Sequence, residues 1–188
     1  MEGTLLSRPE ALALIEAKIS NRNLVKHCLA VEAIMRGLAE RLDEDAELWA
    51  LVGLLHDVDY DLTAKDPAQH TLVGSRMLAE MGMREDVVHA VLVHNEIHGE
   101  PRVSAMDKAL YCADALSGLV TAAALIRPEK KLAPVTVDFI MRRFGEKAFA
   151  RGANRDQIRA CSEIGLELED FIAIGLTSMQ GAAGDLGL

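Results

Sequence analysis

The stretch Trp49-Ala50-Leu51-Val52-Gly53-Leu54-Leu55-His56-Asp57-Val58-Asp59-Tyr60 decides how the rest of the chain is read. Seven uncharged residues run directly into a histidine beside an aspartate. A helix that is apolar on all sides is a buried helix, so the segment predicts His56 and Asp57 at or near the end of a helix inside the molecule. An ionised carboxylate there is costly unless something positive compensates it. Near a helix C-terminus the macrodipole disfavours Asp57 and Asp59 further. Few Lys or Arg stand nearby, whereas more His and Asp are available. A metal ion is therefore the leading candidate for the missing charge.

On the N-terminal side, Ser7-Arg8-Pro9-Glu10 reads as a helix start, with Ser7 as N-cap and Pro in the first turn. That helix should run to about Ile19. Asn21 should cap a second helix, to about Leu42, whose apolar stripe of Leu24, Val31, Ile34 and Leu38 also carries His27. Asp43 to Asp45 forms the break before the buried segment.

On the C-terminal side, the polar residues 60–67 read as a loop. A helix from about Pro67 to Met81 places His70 on the face of Val73, Met77 and Met81, and Gly82 ends it. A helix from about Glu85 to Glu96 puts His94 in register with Val87, Ala90 and Val91. Ser104 with Asp107 should cap a long helix ending near Arg127-Pro128. Residues 135–149, 154–166 and 168–180 read as three more helices, and the tail Gly181-Ala182-Ala183-Gly184 is expected to fray. With no β pattern, repeat or linker, the expectation is all-α. It is a single domain over residues 1–188 of about eight helices, with a core over about 21–128 and a C-terminal helical extension over about 134–182.

Composition supports this. The 188 residues are 50% hydrophobic but only 4% aromatic, which suits aliphatic helices around a sizeable core. The net charge of −9 argues against unassisted binding to a nucleic-acid duplex, which needs a basic face. A small anionic substrate remains compatible, because a bound cation reverses the local potential. Cys28, Cys112 and Cys161 lack metal or redox spacing and read as reduced, buried thiols of a cytoplasmic protein. The first thirty residues show no secretory pattern. Ala109 to Ile126 approaches membrane-spanning length, but it carries Asp114, and a carboxylate at mid-membrane costs roughly 2.5–3.5 kcal/mol. A core helix, with no membrane partner, is the better reading.

His27, His56, Asp57, His70, His94 and Asp114 all fall on apolar helical faces. One inward histidine is usually a hydrogen-bonded core residue. Six such groups on five helices each need a partner, and convergence on one or two cations satisfies them together. Nitrogen and oxygen donors without thiolate suit Mn²⁺, Fe or Zn²⁺, with Mg²⁺ less comfortable beside so much imidazole. His89, one turn after Glu85 and Asp86, is expected to face solvent. His98 sits in a loop that could line a pocket mouth. Cys28 and Cys112 are read as packing.

His27, then His56-Asp57, then Asp114 resemble the H…HD…D pattern of the HD superfamily of metal-dependent phosphohydrolases, over roughly Asn23 to Pro128. His70 and Gly74 in His-Thr-Leu-Val-Gly, with His94-Asn95-Glu96, resemble in order the motifs of its HD-GYP branch. The chain departs from that branch in three places. Asp59-Tyr60 stands for Gly-Lys, Asn95 for a histidine, and no Gly-Tyr-Pro follows. The resemblance implies a first metal held by His27, His56, Asp57 and Asp114; His70 and His94 could hold a second, with Asp57 bridging, or, with one metal only, either becomes a candidate general acid for the leaving oxygen. It implies catalysis through Asp57, His70 and His94, and hydrolysis of a phosphomonoester or phosphodiester, most naturally of a nucleotide. Lys65, Arg102 and Lys108, the basic residues nearest in sequence, are candidates for phosphate contact. A competing reading is a non-catalytic HD-like module that binds a nucleotide or metal for regulation or assembly. The helices after Pro128 could form a lid or a homodimer surface.

Overall fold

The computed structural model describes residues 3–146 and 148–188. Its architecture is all-α: eight of its α-helices have eight residues or more, and three shorter ones join them. The sole extended pairing among the described residues is an isolated bridge between Thr4 and Met83. It ties the N-terminus to the turn after residue 80.

Local capping explains where most helices begin. Helix α1 (Arg8–Lys18) starts at a capping box formed by Ser7 and Glu10, with Pro9 in its first turn. Helix α2 (Arg22–Leu42) is capped by Asn21, which accepts from the Asn23 amide. It stops at Asp43 in the left-handed conformation. Asp45 caps α3 (Ala46–Leu55) by accepting from the Leu48 amide. From Leu48 onward every residue of α3 is buried, so the opening stretch is an interior helix. It lies close against α2: a Cβ on Gly53 would come 2.8 Å from the Val31 carbonyl oxygen. Gly53→Ala must therefore push two backbones apart. It is expected to lower the unfolding free energy by about 1–3 kcal/mol, read by urea denaturation. Unchanged stability would show that the two helices can separate without loss.

The next elements are more broken than helical periodicity suggests. Residues 60–67 are not all loop, since α4 (Tyr60–Thr63) occupies the first half. The helix expected over 67–81 is split. A 3₁₀ turn (Pro67–Gln69) is followed by α5 (Leu72–Glu80). Between them Thr71 takes φ 72°, an unusual conformation for a β-branched residue. Helix α6 (Glu85–Val93) ends before residue 96, with His94 as its C-cap, because Asn95 caps a separate 3₁₀ turn (Glu96–His98). Ser104 and Asp107 form the expected capping box at the start of α7 (Ala105–Leu125). That helix is long and apolar enough to cross a membrane, yet 67% of its most apolar window is buried inside the protein.

Beyond α7 come α8 (Val137–Phe144), α9 (Arg155–Arg159) and α10 (Leu168–Gly181). The helix expected over 135–149 is thus shorter, and Lys147 within that range lies outside the described residues. The helix expected over 154–166 turns into a 3₁₀ segment (Ala160–Ile164) that stops at Gly165 (φ 75°). The tail does not fray as expected. Helix α11 (Ala183–Leu186) continues past residue 182 and buries Leu186. One apolar cluster runs from Ala11 in α1 to Leu186 in α11. Helices α2, α3, α7 and α10 form its centre. Cys28, Cys112 and Cys161 are buried and unbridged.

Candidate metal centre

His56 and His94 are each the C-cap of a helix, α3 and α6 respectively. In both, the imidazole folds back so that Nδ1 donates to a carbonyl three residues earlier. His56 donates to Gly53 at 2.8 Å and His94 to Val91 at 2.8 Å. His27, on α2, places Nδ1 3.0 Å from the Ser117 hydroxyl oxygen. That hydroxyl already donates to the Asp114 carbonyl at 2.8 Å, so it accepts from His27. His70 donates from Nδ1 to Asp59 Oδ1 at 2.9 Å. All four rings thus have Nδ1 engaged behind them and present Nε2 forward. Such acceptors fix the tautomer and orientation of metal-binding histidines.

The four Nε2 atoms meet around one carboxylate. Asp57 Oδ2 lies 3.4 Å from His56 Nε2 and 3.6 Å from His27 Nε2. Asp57 Oδ1 lies 3.3 Å from His70 Nε2 and 3.6 Å from His94 Nε2. Asp114 Oδ1 closes the first half, 3.1 Å from His27 Nε2 and 4.0 Å from His56 Nε2. Two donor clusters share Asp57: His27, His56 and Asp57 on one side, and Asp57, His70 and His94 on the other. The chemistry of the set fits divalent cations. His27 Nε2 and His56 Nε2 stand 3.2 Å apart, and with both Nδ1 atoms protonated their lone pairs repel unless a proton or a cation lies between them.

In the metal-free protein, protons fill that role. Burial pulls His27 down, but Asp114 and Asp57 outweigh it and hold its pKa up at about 8. Burial also opposes charge on His70, yet its bonds to Asp57 and Asp59 raise it to about 10. His56, dominated by burial, is lowered to about 4. Burial pushes Asp57 up, while His56, His70, His94 and His27 together keep it well below the usual carboxylate range. The sign follows. Raised above the ordinary 6.5, the pKa values of His27 and His70 give stability complete below about pH 6.5 and lost as pH climbs through about 8 and 10. A cation must displace those protons. Mn²⁺ affinity should therefore rise with pH across that window, and binding at pH 7 should release protons. Calorimetry in buffers of different ionisation enthalpy measures this, and heats independent of the buffer would contradict it.

Every member of the cluster but His56 lines a cavity of about 370 Å³, walled also by Leu24, Tyr60, Asn95, Glu96, Tyr111 and Gln157. Tyr111 donates its hydroxyl to Glu96 at 2.8 Å, and Gln157, from the C-terminal helices, donates to the Tyr111 carbonyl at 2.6 Å. Lys65, Arg102 and Lys108 are not among the lining residues. Arg102 stacks 3.6 Å over the ring of Tyr111, one of the lining residues. His89 is only partly open to solvent. It is half-buried, with Nδ1 3.1 Å from Asp107, the carboxylate that caps α7. His98 donates from Nε2 to the His70 carbonyl at 2.7 Å, behind the site.

Asp59 is the residue the sequence did not bring out. It is fully buried and accepts from His70, from the Thr71 amide at 2.9 Å and from the Gly74 amide at 2.7 Å. Its position two residues after Asp57 was the available signal, since a second acid at an interior helix end also needs partners.

Residues 24–119 match the family model described as the HD domain, and the chain belongs to that family of metal-dependent phosphohydrolases. Among curated proteins it is similar to Ribonuclease Y of Aquifex aeolicus, 32% identical over 63% of this chain and 22% of that one. Ribonuclease Y of Acidothermus cellulolyticus is 32% identical over 52% of this chain and 19% of its own. That of Nitratidesulfovibrio vulgaris is 29% identical over 52% and 18%. The chain spans about a fifth of the length of these relatives. No solved structure matches it.

Proposed function

We propose that the chain hydrolyses a phosphomonoester or phosphodiester of a nucleotide, using two divalent cations held across Asp57. The observation that supports this best is the division of labour at that carboxylate, with each oxygen facing its own pair of Nε2 atoms. His27, His56 and Asp114 would complete the first half-site, and His70 and His94 the second. Cations bound there supply Lewis acidity, which activates water and neutralises phosphoryl oxygens. The nitrogen-rich donor set favours Mn²⁺, Fe or Zn²⁺ over Mg²⁺.

The walls support a small anionic substrate taken up through the cations. Among the described residues no Lys or Arg lines the cavity, while Asp57, Glu96 and Asp114 do. A volume of about 370 Å³ lies within the range of small-molecule sites. Tyr60 offers an exposed ring, and Asn95, Glu96 and Gln157 offer polar edges, a mixture suited to a base and ribose. The name of the relatives adds a short single-stranded oligonucleotide to the substrates worth trying.

The test is a panel of nucleoside monophosphates, cyclic and linear dinucleotides and short RNA, with Mn²⁺ added to protein stripped of metal. Turnover of at least one ester, abolished by chelator, is the expected result. Tight Mn²⁺ and nucleotide binding without turnover of any ester would favour the non-catalytic module instead.

A further inference from the structure

Asp59 stands beside the donor cluster without belonging to it, and its two oxygens have separate partners. Oδ2 accepts from the Thr71 and Gly74 amides, which are at the exposed-donor end of α5, so a carboxylate from outside the helix serves as its cap. Oδ1 accepts from His70 Nδ1. The fit is close: a Cβ on Gly74 would stand 3.1 Å from Asp59 Cγ, so a residue without a side chain lets the acid approach. Thr71 is fully buried in its unusual left-handed conformation, held there by the same carboxylate. The start of α5 thus fixes Asp59, and Asp59 fixes the ring of His70.

We infer that Asp59 is the positioning residue of the second half-site: it keeps the Nδ1 proton on His70, so that Nε2 is the atom offered opposite Asp57. The inference rests on the two-cation reading above for its consequence, though not for its geometry. His56 and His94 take their tautomer from backbone carbonyls of their own helices, which no side-chain substitution removes. His70 alone of the four relies on a carboxylate.

Asp59→Asn isolates the effect. Its amide oxygen can keep both α5 donors, while its NH₂ group falls where Oδ1 was and faces His70 Nδ1. Two donors cannot share that contact, so His70 must give up the Nδ1 proton and keep only the one on Nε2, facing Asp57. Long-range ¹H–¹⁵N spectra of the histidines in metal-free protein, repeated with Zn²⁺, read this directly. The expected result is a His70 Nδ1 proton in the wild type and none in Asp59→Asn, with far-UV circular dichroism unchanged. In Mn²⁺ titrations the variant should weaken one of two ions about 10–100-fold and leave the other within a few-fold. Asp59→Ala should lose the α5 cap as well, and its possible failure to fold leaves the Asn variant decisive. Persistence of the Nδ1 proton, or two ions bound with unchanged affinity in Asp59→Asn, would overturn the inference. A wild type that binds fewer than two Mn²⁺ would sink the two-cation reading, while the spectra still decide the role of Asp59.

Discussion

Asp57→Ala is expected to remove both cations at once and to lower turnover by roughly 10³-fold or more. Each half-site holds one Asp57 oxygen between two Nε2 atoms, so no other single substitution touches both. A metal ion contributes several kcal/mol of charge stabilisation to a phosphoryl transition state, and each 1.36 kcal/mol is tenfold in rate. The same loss appears without any substrate. Mn²⁺ at 100 times its dissociation constant stabilises a protein by about 2.7 kcal/mol per site, and a chain of this size gains roughly 2–4 °C per kcal/mol. A single saturated site in the wild type should therefore raise the melting temperature by about 5–11 °C, and Asp57→Ala by almost nothing. The variant should stay helical, because the apolar cluster that spans the molecule does not include Asp57. Turnover at the wild-type rate, or a full Mn²⁺ shift in the variant, would remove Asp57 from the centre of the proposal.

The legible part of this protein is the part encoded by local pattern. The apolar run of α3 predicts an interior helix, and the inward faces of α2, α3, α6 and α7 predict which polar residues are buried with it. Helix periodicity carries that information because one face repeats every three to four residues. The same logic puts His27, His56, Asp57, His94 and Asp114 on inward faces, and the structure brings their atoms within reach of one another.

What stayed hidden depends on partners distant in sequence. Asp59 is explained by backbone amides 12 and 15 residues later, which no side-chain pattern announces. The break at Thr71 is hidden in the same way: His-Thr-Leu-Val-Gly reads as continuous helix, whereas the Asp59 carboxylate takes the amides of Thr71 and Gly74 at the start of α5. For His89 the acids on its own helix suggested solvent, and what they could not show is its partner Asp107, which caps a different helix. The tail misled for a related reason. Two glycines and two alanines favour fraying in isolation, but Leu186 behind them reaches the core.

Phe171→Ala should be the most damaging core substitution, and it asks whether the chain unfolds as one unit. Phe171 is fully buried at the start of α10, the helix that closes over α2 and α7. That contact is tight at two points: a Cβ on Gly175 would meet Leu116 of α7 at 2.5 Å, and one on Gly37 of α2 would meet the Ser178 hydroxyl at 2.1 Å. Helix α2 carries His27 and α7 carries Asp114, so the C-terminal helices brace the first half-site from behind. Emptying a Phe site costs about 3–5 kcal/mol, or roughly 6–20 °C at this chain length. Trp49, the single tryptophan, is buried in α3 and reports on the opposite side of the core. One cooperative domain requires Trp49 fluorescence and far-UV circular dichroism to shift together to the lower midpoint, with Mn²⁺ affinity falling alongside. If the variant instead loses part of its helix signal early while Trp49 melts at the wild-type temperature, α8 to α11 form a separate unit, and the first half-site stands without them.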